Sequence, residues 1–320
     1  MDFKKLMRDI WDISITLFKI MIPTLIIVKI LQELGLDMVL VSIMTPAMAL
    51  IDLPAEMALV LTTTMLTNPY AGLLVAAGLP ASFDLTVGQA SVMALFMLLT
   101  HSLPVEGMIS RRAGVRLRVV LTVRIGGAFV ICAFLANLFD LTGWYSASAQ
   151  LNLPNYAPAT DLTGWVVNQF WALVFVQIII ILLVFFLEIL KIIGVEKLIS
   201  LCLQPFLHFM KISQRGATIA IVGVTLGLGF GSGLLLRDVA TGTIDKKDVF
   251  GVVCFINLLH SVFEDTAVVM LLGPSLIVVL GARFIFALLF TQLLMLSVDK
   301  LDERIWKGWL TNGNIPELRA

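Results

Sequence analysis

Residues 18–140 of this chain recur at residues 177–299 with a constant offset of 159, and a duplication on that scale fixes most of what the chain can become. Gly35 matches Gly194, Asp37 matches Glu196, Pro46 matches Pro205, and His101-Ser102 matches His260-Ser261. Further along, Glu106 falls on Asp265, Gly114 on Gly273, Arg124 on Arg283 and Asp140 on Asp299. Apolar similarity arises from composition alone, but rare polar and backbone-special residues held in one register do not. The two copies carry opposite charge bias along the chain, the inverted-repeat pattern of transporters.

With 59% hydrophobic and 14% charged residues and a mean hydropathy of +1.00, the chain is far from the roughly 25% charged content of a soluble domain. The expected fold class is an all-α membrane protein. Net charge is zero and no basic run resembles a nucleic-acid patch, so no nucleic acid polymer is expected as partner. Cys132, Cys202 and Cys254 lie in apolar runs without CxxC or Cys/His spacing, which implies neither a disulfide framework nor zinc. Lys4, Lys5 and Arg8 precede a long apolar stretch with no small-residue cleavage site, so this start reads as a retained helix rather than a signal peptide.

A spanning helix needs about 20 apolar residues, and short loops rich in Lys and Arg stay in the cytoplasm. The span 12–34 therefore leaves the cytoplasm, and 36–51 is a short amphipathic piece along the outer interface. The run 55–83, interrupted by Thr62-Thr63-Thr64, Thr67 and Asn68-Pro69-Tyr70, reads as a re-entrant hairpin. Span 87–109 returns to Arg111, Arg112, Arg116 and Arg118, and 116–138 crosses outward to a linker, 141–164, free of Lys and Arg. The second half repeats the plan upside down: span 165–190, amphipathic 195–211, a hairpin over 214–240 turning at Gly227 to Gly233, then spans 248–270 and 276–298. Every basic cluster then falls inside, both termini are cytoplasmic, and the expected count is six transmembrane helices plus two re-entrant hairpins in two inverted repeats. The domain reading is a first repeat at 1–140, an external linker at 141–164, a second repeat at 165–298 and an amphipathic tail at 299–320. In that tail Leu301, Ile305, Trp306 and Trp309 fall on one helical face, as in an interfacial anchor.

Non-helical backbone at membrane depth survives only where protein buries it or water reaches it, so the hairpin tips are the default binding-site candidates. The first tip offers Thr64, Thr67 and Asn68; the second offers Gly231 and Ser232. Against this stands the alternative that the threonines bond to their own helix and the glycines permit close packing. His101, His260, Arg124 and Arg283 all fall roughly 12 to 18 Å deep by helix rise, with Glu106, Glu264 and Asp265 as nearby acids. For the arginines, structural pairing and a direct role towards solute both stay open. His260 and Glu264, four apart, have the spacing of two metal ligands on one helix face, although the first copy has Val105 in place of Glu264. No nucleophile–base set, Walker loop or zinc-protease motif is present, so the chain is not expected to be an enzyme.

These residues give the chain a resemblance to the Gate-domain superfamily, and in particular to the nucleoside recognition membrane proteins. That superfamily includes the Gate regions of concentrative nucleoside transporters, of ferrous-iron transport protein B and of spore maturation proteins A and B. The residues that carry the resemblance are Asn68-Pro69-Tyr70-Ala71-Gly72-Leu73-Leu74 against Gly231-Ser232-Gly233-Leu234-Leu235-Leu236, and His101-Ser102 through Glu106 against His260-Ser261 through Asp265. The resemblance implies a Gate unit in each half. The second tip is glycine-rich, the first hairpin lacks a Gln-Thr-Glu element, and no GTPase domain precedes the repeat.

Taken together, the expectation is an inner-membrane secondary transporter or permease for a small polar solute, nucleoside-like or an organic anion. Thr64, Thr67, Asn68, His101, Glu106, Arg124, Gly231, Ser232, His260, Asp265 and Arg283 are the residues expected to face it. No resident cofactor is implied, the coupling ion is Na+ or H+, membrane lipid is the expected surrounding, and a homo-oligomer is left open. The rival expectations are a non-transporting membrane scaffold and a divalent metal-ion permease using His260 and Glu264.

Overall fold

The computed structural model describes residues 3–78, 84–154, 161–210, 212–298 and 300–312. The end of the first hairpin's apolar run at Phe83, the middle of the linker, Asp299 and the tail beyond 312 lie outside the described residues. All regular structure among the described residues is helical; β pairing is limited to isolated bridges at Thr86–Ser148 and Val115–Thr311.

The helices follow the sequence duplication closely. The first copy runs α1 (Phe3–Glu33), α2 (Leu36–Leu50), α3 (Met57–Leu66), α4 (Pro69–Ala77), α5 (Val87–Thr100), α6 (Leu103–Arg112), α7 (Leu117–Leu121) and α8 (Gly127–Thr142), the last two joined through a π turn at Thr122–Gly126. The second runs α9 (Leu162–Ile193), α10 (Val195–Phe209), α11 (Gln214–Leu226), α12 (Leu228–Thr241), α13 (Lys246–Leu258) and α14 (Glu264–Val269), then a π turn at Ile277–Ala282 and α15 (Arg283–Val298). Adding 159 to both ends of α2 gives both ends of α10, and adding it to the start of α4 or α5 gives the start of α12 or α13. Backbone exceptions recur with the same offset. Gly35 (φ 68°) and Gly194 (φ 82°) turn α1 into α2 and α9 into α10, in the left-handed region where glycine carries no Cβ penalty. Ser102 (φ 54°) and Ser261 (φ 46°) follow the matched histidines at the breaks between α5 and α6 and between α13 and α14.

Within each expected hairpin the two helices pack directly on one another, α3 on α4 and α11 on α12. Both contacts are made by the same repeat positions. A Cβ on Gly72 would sit 1.9 Å from Thr64 Oγ1, and one on Gly231, its repeat partner, 2.7 Å from the Cα of Gly223, the partner of Thr64. The backbones therefore approach where small residues allow it, as helices do in lipid. This changes the reading of the second tip. Only Gly227 (φ 88°, ψ 168°) lies outside the helices there, and the glycine run that follows it is the first turns of α12.

Among the described residues four helices are long and apolar enough to cross a membrane: Leu6–Glu33, Leu117–Thr142, Leu162–Ile193 and Ile277–Val298. The pair α5 and α6 counts as a fifth if read as one broken span. On α1 and α9, Ile26, Ile27, Ile30, Phe170, Trp171 and Leu182 are all exposed. Water would penalise such faces and acyl chains would cover them. The chain is a helical membrane protein whose apolar helices contact lipid.

By compactness the chain divides into two units that cut across the two copies. One unit comprises Met1–His101, Cys132–Ile193 and Glu264–Val279; the other comprises Ser102–Ile131, Gly194–Phe263 and Leu280–Ala320. In the first, α1 packs on α2, α4 and α9, and α14 packs on α4, α5 and α9. In the second, α11 packs on α10, α12 and α13, α13 packs on α15, and α6 packs on α7 and α12.

The tail departs from the lipid-facing helix expected of it. After the short α16 (Glu303–Ile305) the backbone makes a π turn over Trp306–Leu310, which resets the angular spacing of its side chains. Trp306 is 3% exposed and meets the Phe250 ring at 5.5 Å, while Trp309 is 64% exposed under the Arg118 guanidinium at 4.5 Å. Arg116 ties the strap down, its N–H bonding to Leu310 O at 2.9 Å and its Nε to Thr311 O at 2.7 Å.

Candidate functional site

Each unit holds one histidine against the acid of the opposite copy. In the first unit His101 caps α5, directs Nδ1 at Met97 O (3.2 Å) and places Nε2 3.3 Å from Asp265 Oδ2. In the second, His260 directs Nδ1 at Ile256 O (2.7 Å) and Nε2 at Glu106 Oε1 (3.1 Å). The four residues are buried. The geometry is the same twice because the chain breaks the same way twice. Each histidine ends a buried helix, the following serine takes a left-handed φ, and the backbone restarts carrying its acid near the next helix start. Both ring nitrogens of each histidine face acceptors. An imidazolium donates to both together, whereas a neutral ring donates to one.

The arginines are structural partners of these breaks. Arg124, in the π turn and fully buried, pairs with Glu106 Oε2, so Glu106 joins Arg124 to His260. Arg283, equally buried, donates from Nε to Leu258 O and from Nη2 to His260 O, each at 3.0 Å. Those carbonyls belong to the end of α13, where the helix stops and leaves acceptors without intrahelical donors. A buried guanidinium beside the break therefore satisfies backbone as well as carrying charge.

At the first tip, Thr64 Oγ1 donates to Val60 O (2.8 Å) and Thr67 Oγ1 to Thr63 O (2.6 Å), each the carbonyl one turn back. Asn68 is extended, its Oδ1 accepts from Ala71 N at 2.9 Å, and it caps α4 with Pro69 in the first helical position. Its Nδ2 is buried without a partner among the described residues, Asn68 itself being 7% exposed. At the second tip Gly227 approaches the other break, where its absent Cβ would lie 2.8 Å from Ser261 Oγ. Gly231 is buried in the α11–α12 contact rather than presented at the tip, and the Ser232 side chain lies outside the described residues.

The expected face shared by His260 and Glu264 does not form. Leu259 to Phe263 lie between α13 and α14, so a helical spacing of four does not apply. Glu264 instead accepts from the Tyr70 hydroxyl at 3.4 Å. Tyr70 is the residue that sequence reasoning passed over, because its partner lies 194 positions away and only the fold brings α14 against α4. Its position two residues after Asn68 was the available signal. Two further hollows lie elsewhere. One, of about 200 Å³, is bordered by Asp52, Gln89, Asp140 and Tyr145, and the other, of about 870 Å³, by Gln204, His208, Gln214 and Thr218.

Over 304 residues the chain is 29% identical to the uncharacterized membrane protein YvoD of Bacillus subtilis (strain 168), covering 92% of this chain and 91% of that protein. No family model matches. No solved structure matches.

Proposed function

We propose that this membrane protein is an inner-membrane secondary transporter or permease of the Gate type for a small polar solute. In this reading it has six spans, two re-entrant hairpins entering from opposite faces and cytoplasmic termini. The observation that carries it is the duplicated histidine–carboxylate contact, His101 with Asp265 and His260 with Glu106, placed at breaks in apolar spans. Ionisable groups within spans are costly and mark ion or substrate paths. Each contact joins an element of one copy to an element of the other, so a displacement of α14 against α5, or of α6 against α13, would make or break it. Such a pair hands over a proton as the elements move, which favours H+ over Na+ as coupling ion. Hairpin tips with interrupted helices supply the polar backbone for solute.

A non-transporting scaffold is the second reading, favoured by the full burial and engagement of Arg124 and Arg283. The metal-permease reading loses the helical face assumed for His260 and Glu264, because the chain breaks between them.

Vesicles containing the purified full chain and a trapped pH dye decide between the first two. Under a panel of nucleosides, organic anions and organic amines, at least one solute should drive internal pH change or accumulate, and His260→Gln should slow it at least tenfold. A panel-wide lack of uptake and of proton movement, with a correctly folded chain, would favour the scaffold.

A further inference from the structure

The duplication separates what the fold requires from what it does not. His101 and His260, Glu106 and Asp265, Arg124 and Arg283, and Gly72 and Gly231 all occur in pairs and hold corresponding places. Tyr70 and Glu264 do not: their counterparts are Gly229 and Val105. Asn68 has Gly227 opposite it. Two unduplicated residues meet in one contact, and the third stands two residues away on the same tip with a buried, unpartnered amide nitrogen. The Asn257–Ser110 bond, 2.9 Å, is also unduplicated, with Leu98 and Val269 opposite, but it joins two neutral groups within the second unit and braces α13 on α6.

Glu264 lies about 13 Å along the chain from the Gly273 turn by helix rise, at depth in the membrane reading. It is half-buried, and an acid at that depth needs water or a polar partner rather than acyl chains. Among the described residues of its unit no Lys, Arg or His stands within ion-pair distance of it. Its one hydrogen bond, at 3.4 Å, is long for O–H···O, whose usual length is about 2.7 to 2.8 Å. Among the described residues the carboxylate therefore has no cationic partner and is loosely held by the hydroxyl of Tyr70, itself buried, and Asn68 Nδ2 requires an acceptor.

We propose that Asn68, Tyr70 and Glu264 form a recognition site for a small organic cation, a protonated amine that also carries a hydrogen-bond acceptor such as a hydroxyl. The ammonium pairs with Glu264 beside the Tyr70 hydroxyl, and the acceptor takes the Asn68 amide. This rests on the transport reading and narrows its solute class, excluding organic anions from this site.

Thermal unfolding of the purified full chain in detergent tests it, with ethanolamine, ethylene glycol, glycolate and uridine as probes at constant ionic strength. Ethanolamine should raise Tm in proportion to the logarithm of its concentration, as a ligand of the native state does, while ethylene glycol and glycolate leave it unmoved. Glu264→Gln should abolish the ethanolamine response while the ligand-free Tm stays level or rises, since an uncompensated charge is gone; a purely structural glutamate would instead lower it. Asn68→Ala should weaken the ethanolamine response about tenfold in concentration, the equivalent of 1.4 kcal/mol. No ethanolamine shift in the wild type, an equal shift in Glu264→Gln, or an equal shift with ethylene glycol would overturn the proposal. The wild-type panel decides even if the glutamine variant fails to fold. A shift with uridine or glycolate alone overturns the cation assignment and leaves the transport reading standing, whereas silence across the panel together with no uptake in vesicles removes both.

Discussion

Arg124 and Arg283 occupy matched positions and are both fully buried, yet the consequences of removing them differ. Arg124→Ala would take the guanidinium from buried Glu106 and leave its charge facing the His260 ring, and breaking a buried pair typically costs about 3 to 5 kcal/mol. Adding Glu106→Gln removes that charge, so the double variant should recover much of the loss in a denaturant titration. Arg283→Ala would orphan the Leu258 and His260 carbonyls, at about 1 to 3 kcal/mol for each unsatisfied group, and no single acid substitution should restore it. Recovery of both arginine variants, or of neither, by neutralising Glu106 would contradict this division. The burial of these arginines was legible in sequence because charge within an apolar run is conspicuous. Pairing of Arg124 with Glu106 was among the open readings, but the carbonyl partners of Arg283 were not legible, because a guanidinium facing a broken helix end is visible only once the break is placed. The contact of Tyr70 with Glu264 was hidden for the same reason, since Tyr70 looks ordinary until α14 lies on α4.

Between α3 and α4, and again between α11 and α12, close approach depends on a glycine, but the opposing atom differs. Gly72 faces a hydroxyl that a rotamer change moves away, whereas Gly231 faces the Gly223 backbone, which does not move without the helix. Gly231→Ala should therefore cost about 1 to 3 kcal/mol, as overpacking does, and resist compensation. Gly72→Ala should be milder and should be relieved further by Thr64→Ala. Equal melting temperatures for the two single variants would argue against this difference between side-chain and backbone opposition. Element positions were largely readable: the break at Asn68-Pro69 announces itself through proline and a capping residue, and the breaks at His101 and His260 through polar residues in an apolar run. The glycine run after Gly227 was misread as open tip because glycine signals both flexible backbone and close helix packing, and the partner helix decides which. Trp306 turned inward for a similar reason, since a π turn changes the face on which a residue of fixed spacing lands.

At the scale of the whole molecule, the charge pattern and the helix lengths make separate demands that the proposed topology meets together. Four helices pass the length and hydropathy test outright and a fifth passes as a broken pair, which by itself leaves both hairpin pairs and the α13–α14 pair unassigned. The offset of 159 supplies the rest: α13 and α14 correspond to α5 and α6 and break at the same histidine, so what holds for one pair holds for the other. If α5–α6 and α13–α14 each cross once and each hairpin returns to its own face, Arg111, Arg112, Arg237, Lys246 and Lys247 all remain in the cytoplasm. If instead α3 and α4 made two separate crossings, each would have to cross with 10 and 9 residues, about 15 and 14 Å of helix against a core about 30 Å thick. Labelling of single cysteines in a background lacking Cys132, Cys202 and Cys254 tests the arrangement directly. Ser148→Cys, in the exposed linker, should react with an impermeant maleimide on intact cells, and Thr243→Cys, between α12 and α13, should react only after the membrane is opened. Labelling of both from outside, or protection of both, would break the inverted relation between the copies and with it the argument that places the paired histidines at corresponding levels.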